Sequence, residues 1–68
     1  MFLELKTRDG NRVCININQI IMIQDVCTGD FEGYTNIHLS GGAIIDTHKS
    51  YRTVIQKVER ANKRITIL

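Results

Sequence analysis

The chain has 68 residues, which is enough for one small domain (residues 1–68), and such a domain buries only about 60% of the surface that its unfolded chain exposes. The net charge of +2 is too small to indicate nucleic-acid binding by itself, and no apolar run approaches the ~20 residues of a membrane span. With two cysteines, Cys14 and Cys27, and no leader-like start, we expect a cytoplasmic protein whose thiols are buried or interfacial.

Two strands are predicted over residues 2–7 and 12–18, because apolar and polar residues alternate there with period two. A three-residue loop, Arg8-Asp9-Gly10, keeps the apolar residues on one face, whereas a two-residue loop would mix the faces. The predicted apolar pairs are Leu5 with Val13 and Leu3 with Ile15. Gly10 is therefore expected in the left-handed conformation.

Residues 19–26, QIIMIQDV, are predicted to form a third strand, since this β-branched run is too short for a convincing helix. Its continuous apolar middle predicts burial on both faces. In so small a domain, a helix can cover one face and only another subunit can cover the other, so we expect a homo-oligomer. Residues 27–34, CTGDFEGY, are predicted to be a loop with Phe31 half exposed.

A second hairpin is predicted over residues 35–48, with Ser40-Gly41-Gly42 as its loop. This loop matches the apolar faces in the pairs Thr35–Thr47, Ile37–Ile45 and Leu39–Ala43. The two glycines are therefore interpreted as turn residues, because a phosphate-binding loop needs a helix directly after it.

The other face of this hairpin carries Asp46 and both histidines, His38 and His48. In the predicted register His38 lies ~7–8 Å from Asp46, whereas metal ligands must converge within ~2 Å of one ion. We expect no metal site and no cofactor. Because the sequence has no cofactor motif and no nucleophile with a partner at a recognisable spacing, we also expect no catalytic residue and no enzymatic activity.

From Ser50 the period becomes helical, and Ser50 is the expected N-cap. The apolar helix face comprises Tyr51, Val54, Ile55, Val58, Ala61 and Ile65. This helix is predicted to cover the sheet face formed by Leu3, Leu5, Val13, Ile15, Ile37 and Ile45. The last residues, 65–68, are either the helix end or a short strand that pairs with a neighbouring chain. The predicted fold class is α+β, mainly β: an antiparallel sheet of about five strands and one C-terminal amphipathic helix.

Positive charge is concentrated on this helix. Residues 49–64 contain six cations and one acid, Glu59, a local net charge of +5, whereas residues 1–48 carry −3. Such a basic end attracts polyanions, although a solvated helix face has the same composition. The candidate contacts to nucleic acid or to a regulatory protein are Arg52, Lys57, Arg60, Lys63 and Arg64.

The stretch VCININQIIMIQD … GYTNIHLSGGAIIDTHKSYRTVIQKV resembles the C-terminal half of LytTR DNA-binding domains, where a VN-x-x-x-I strand precedes a hairpin and a short helix. The whole chain is similar to the small FlbD-type proteins of flagellar operons. The corresponding positions are Asn18, Ile21, Ile23, Leu39, Gly42 and Ser50. In place of the basic R-x-H-R-S run that precedes the VN segment of LytTR domains, Arg12 stands alone, so no base contact is transferred to a residue.

Three functional hypotheses follow from these patterns. The first is a regulatory module that contacts nucleic acid or a regulatory protein through the basic helix. The second is an oligomer, of a kind that phages encode, which sequesters a small anionic ligand such as a nucleotide messenger in pockets between subunits. Its candidate ligand residues are Arg8, Arg12, Asn16, Asn18, His38 and His48. The third is an adaptor oligomer without a ligand.

Overall fold

The computed structural model describes residues 2–63, with Lys63 described by its backbone alone. The elements are β1 (Phe2–Lys6), β2 (Arg12–Asn16), a 3-10 helix (Ile17–Gln19), β3 (Ile20–Asp25), β4 (Thr35–Leu39), β5 (Ile44–Thr47) and α1 (Tyr51–Lys63). The predicted class, mainly β with five strands and one helix after them, is confirmed. Arg64 and the predicted last strand lie outside the described residues.

The five strands form two antiparallel sheets and not the single sheet predicted. β1 pairs with β2, and β3, β4 and β5 form a three-stranded sheet in that order. One bridge, between Thr7 and Thr47, joins β5 to the end of β1. Next to this bridge the Thr47 hydroxyl, and not a backbone amide, donates to the carbonyl of Lys6 at 2.9 Å. One backbone bond also crosses the junction, from the Arg8 N–H to the Asp46 carbonyl at 2.8 Å.

Both hairpins have the predicted register. Leu5 pairs with Val13 in the first hairpin, and Ile37 pairs with Ile45 in the second. The first loop closes through Thr7, whose N–H donates to the Asn11 carbonyl at 2.7 Å, and Gly10 has a φ of 89°. A φ in this region is strained for any residue with a Cβ, so the sequence position of the glycine fixes the loop.

The second strand is shorter than predicted, because the chain turns at Asn16. The Asn16 side chain accepts a hydrogen bond from the Asn18 N–H at 3.0 Å and caps the 3-10 helix. Ile17 is buried in this helix. Asparagine readily bonds the backbone two residues on, and this local bond ends the strand where the alternating pattern alone predicts that it continues.

A β-bulge shapes the third strand. Ile20 pairs with Leu39 and Met22 pairs with His38, so that Ile21 is an additional residue on β3. Ile21 and Met22 are 69% and 46% exposed, whereas Ile20 packs against the core. The predicted strand is confirmed. Within one chain the outward half of the apolar run is uncovered, so burial on both faces stays a prediction that requires a second subunit.

The core lies between the two sheets and α1. Its buried members are Leu3, Leu5, Ile15, Ile17, Ile37 and Val54, and the partly buried Val13, Ile45, Val58 and Ala61 pack against them. α1 contacts β1 and β3, and the Ser50 hydroxyl accepts the Thr53 N–H at 3.1 Å as the predicted cap. The helix therefore covers the predicted sheet face and leaves its basic side in solvent.

Candidate functional site

The described cations of α1 lie on the side of the helix away from Val54, or on its flank. Arg52 and Arg60 are exposed and Lys57 is half-buried, as expected for a helix whose opposite side is packed. None of these three side chains forms an ion pair with another residue among 2–62. The ion pair within that range joins Arg8 to Asp9. We call Arg52, Lys57 and Arg60 the helix cations. The side chain of Lys63, and all of Arg64, lie outside the described residues.

A shallow groove runs along the exposed side of α1. It has a volume of about 470 Å³ and is lined by Tyr51, Arg52, Ile55, Gln56 and Glu59. Arg52 is the cation of this groove and Glu59 is its acid. The groove belongs entirely to one helix, so it presents a surface and does not enclose a ligand.

The six residues of the predicted ligand pocket do not meet within one chain. Asn16 pairs with Phe2 at one end of the first hairpin, whereas Arg8 lies in the loop at the other end. At ~3.4 Å per residue the four steps from Arg12 to Asn16 span about 14 Å. The Oδ1 atom of Asn16 is occupied in capping the 3-10 helix, where it accepts the backbone N–H of Asn18. A pocket that uses all six residues would therefore need contributions from more than one chain.

Arg8 and His48 belong to a chain of aromatic contacts. The guanidinium carbon of Arg8 lies 4.4 Å from the ring centroid of Phe31, and Phe31 meets Tyr34 edge to face at 6.0 Å. The Tyr34 ring in turn lies 4.5 Å from the ring of His48. These contacts hold the loop between β3 and β4 against the first hairpin loop, and they fix the orientation of the His48 ring.

The outer face of the three-stranded sheet exposes several apolar side chains. Strand pairing aligns Met22, His38 and Ile44 in one row, and Ile21 and Ile44 are 69% and 54% exposed. The next row contains Asn36. The Nε2 atom of His38 and the Oδ1 atom of Asn36 are buried and have no hydrogen-bond partner. This surface, which we call the outer face, thus combines exposed apolar side chains with unsatisfied polar atoms.

A cleft opens where the two sheets meet. It has a volume of about 300 Å³ and is lined by Lys6, Thr7, Thr47, His48 and Lys49. We call it the junction cleft. His48 is the one lining residue that also belongs to the ligand site predicted from the sequence. Two threonines that pair with each other, Thr35 and Thr47, lie at inward positions of β4 and β5, where an apolar residue is usual.

Among the described residues no three of the His, Cys, Asp and Glu side chains are grouped so that they could hold a metal ion, and His38, Asp46 and His48 are no exception. Cys14 and Cys27 are free and exposed, so neither thiol is buried within one chain, and their place in an interface between subunits stays a prediction. Cys14 is on the outward side of its strand opposite Glu4, and Cys27 follows the end of β3.

No helix in the described part of the chain is long and apolar enough to cross a membrane. The chain matches no protein-family model, no curated protein and no solved structure.

Proposed function

We propose that this chain is a small, non-enzymatic, cytoplasmic binding module that acts as a homo-oligomer and contacts nucleic acid or a regulatory protein through the basic side of α1. The main support for the proposal is that the described carboxylates of the chain do not neutralise the helix cations. Arg52, Lys57 and Arg60 have no ion-pair partner among residues 2–62, and two of them are exposed. Cations without an internal carboxylate are free to neutralise phosphates or the acidic groups of a partner.

The packing of α1 supports this role. Val54 is fully buried, and Val58 and Ala61 pack against the same core, so the helix is held by one side along its length. The basic side is consequently presented from a fixed scaffold and not from a flexible tail. Positioned cations lose less conformational freedom on binding than those of a disordered segment.

The chemistry of the described residues gives little support to catalysis. Neither His38 nor His48 is hydrogen-bonded to a hydroxyl or a thiol in the described part of the chain. The pairing of a nucleophile with a general base, which hydrolases and transferases require, is therefore not assembled here.

A salt titration with duplex DNA tests the nucleic-acid form of the proposal. We expect binding whose logarithmic affinity falls with the logarithm of salt concentration by nearly one unit for each phosphate contact. Substituting Lys57, Arg60 and Arg64 with alanine should flatten this slope by about 2.7 units per protomer if all three contact phosphates. Alanine favours helix, so circular dichroism should stay unchanged.

The matched control lowers the net charge equally at a different place. Glutamine at Lys6, Arg8 and Arg12 removes three cations from the first hairpin and leaves α1 intact. Both triple variants should bind alike if the attraction depends only on net charge, and that result would contradict the proposal. An unchanged slope in the helix variant would contradict it as well.

The outer face supports the oligomeric part of the proposal. Met22, His38 and Ile44 form a row that a second copy of the chain can cover with its own equivalent row, related by a two-fold axis. Such pairing removes apolar surface from water. A domain with so small a core gains stability from this association.

Sedimentation of a lysine variant at Ile44 tests the interface. Ile44→Lys places a charge in the middle of the row, and we expect it to shift a micromolar sample towards the 7.8 kDa monomer. Phe2→Lys is the control, because Phe2 is 67% exposed on the other sheet and should leave association intact. A wild-type protein that sediments as a 7.8 kDa species at this concentration would contradict the proposal.

A further inference from the structure

We propose that the junction cleft is a binding site for the phosphate group of a small anionic ligand, such as a phosphate monoester or a diphosphate. The cleft is separate from the helix cations, so this inference does not depend on the proposed function. It rests on the charge of the cleft lining, on the hydrogen bonds that fix it, and on its size.

The lining is cationic and has no acid in it. Two lysines, Lys6 and Lys49, and one histidine, His48, are among its five lining residues, and the other two are the threonines Thr7 and Thr47. Neither lysine is ion-paired with another residue among 2–62. Two like charges beside one concavity repel each other, and an anion between them would relieve that repulsion.

One buried hydroxyl holds the two lysines at the cleft. Thr47 is fully buried, and its hydroxyl donates to the Lys6 carbonyl at 2.9 Å and accepts the Lys49 N–H at 3.2 Å. The Thr35 hydroxyl, which is also fully buried, donates to the Lys49 carbonyl at 2.8 Å. Both ammonium groups therefore extend from backbone segments that are fixed to each other, which lowers the entropy lost when an anion binds.

The remaining donors suit phosphate oxygens. The His48 ring is oriented by its contact with Tyr34, at a centroid distance of 4.5 Å. The Thr7 hydroxyl accepts the Asn11 N–H at 3.2 Å, and its own proton is available to donate. Lysine binds phosphate as a compact point charge, and several such donors around one group match a tetrahedral dianion.

The volume of the cleft limits the ligand. About 300 Å³ is at the lower end of the range of small-molecule sites, which is roughly 300–1,000 Å³. A phosphate monoester or a diphosphate fits this size, whereas a larger ligand would extend into solvent beyond the cleft.

A titration with inorganic pyrophosphate, followed by amide chemical shifts at constant ionic strength, tests the site. We expect saturable shifts at Thr7, His48 and Lys49. The double variant Lys6→Gln/Lys49→Gln should weaken pyrophosphate binding by about a hundredfold, because each of the two charge-assisted hydrogen bonds contributes about tenfold. Both side chains are exposed, so the fold should survive, as circular dichroism can verify.

The control is Lys57→Gln/Arg60→Gln, which removes the same charge from α1 and should leave pyrophosphate affinity within about twofold. Equal loss in the two double variants, or no shift in the cleft amides at millimolar pyrophosphate, would overturn the inference. A third arm uses duplex DNA: shifts in the cleft with DNA but not with pyrophosphate would assign these cations to a nucleic-acid surface and would likewise overturn it. The helix variant distinguishes this failure from a failure of the proposed function, because the proposed function predicts that this variant binds DNA more weakly and the inference about the cleft does not.

Discussion

Replacing Thr47 with valine tests the junction between the sheets most directly. The Thr47 side chain is fully buried, and its hydroxyl bonds the Lys6 carbonyl at 2.9 Å and the Lys49 N–H at 3.2 Å. Valine has nearly the same shape and keeps the packing, but it can make neither bond. The substitution therefore separates the contribution of the hydroxyl from that of the side-chain volume.

The expected loss is about 2 kcal/mol of unfolding free energy, because each of the two hydrogen bonds contributes about 1 kcal/mol net. A single core of this size supplies only about 3–5 kcal/mol, so the variant should lose about half of its stability. For a domain of this length that corresponds to a fall in Tm of about 8–16 °C, at about 4–8 °C per kcal/mol.

Urea unfolding followed by circular dichroism measures this effect, with two further variants as references. Thr35→Val removes one hydrogen bond, to the Lys49 carbonyl, and should lose about 1 kcal/mol. Thr28→Val changes an exposed loop threonine and should stay within about 0.5 kcal/mol of the native chain. A Thr47→Val variant as stable as Thr28→Val would show that the two sheets do not depend on this hydroxyl.

Two other substitutions test the ends of elements. Ser50→Ala should lose about 1 kcal/mol of stability in urea unfolding, because the Thr53 N–H loses its cap, whereas Ser50→Asp should retain it. Gly10→Ala should lose about 1–2 kcal/mol in the same assay, because φ is 89° there. A Cβ at position 10 would meet no atom within 4 Å, so a larger loss would mean that the loop has changed shape.

The two hairpins could be predicted from the sequence because several local signals agree there. Alternation defines which residues share a face, and only one loop length places Leu5 opposite Val13 or Ile37 opposite Ile45. Glycine at the loop position with positive φ supports the same register. The helix is predictable for the same reason, because its cap at Ser50 and its apolar period agree.

The departures from prediction arise where periodicity carries too little information. In the run Ile20–Ile23 every residue is apolar, so the pattern cannot show that a bulge turns Ile21 and Met22 outward. In the run Ile15–Asn18 the alternation continues past the end of the strand, and the local bond between Asn16 and Asn18 decides the structure. Alternation does not distinguish a continued strand from a 3-10 helix here, because Ile15 and Ile17 are expected to be buried in both conformations.

The candidate sites differ in how far the sequence could indicate them. The helix cations are predictable, since helical periodicity alone places Arg52 and Arg60 opposite Val54. The junction cleft is not predictable in this way, because Lys6 and Lys49 are more than forty positions apart and come together only in the folded chain, where the Thr47 hydroxyl bonds both backbone segments. Threonine suits an outward strand position as well as a buried one, so its identity does not indicate that it joins two sheets. Because the Thr47 hydroxyl contacts both lysine segments, Thr47→Val should lower the stability of the fold and the anion affinity of the cleft together.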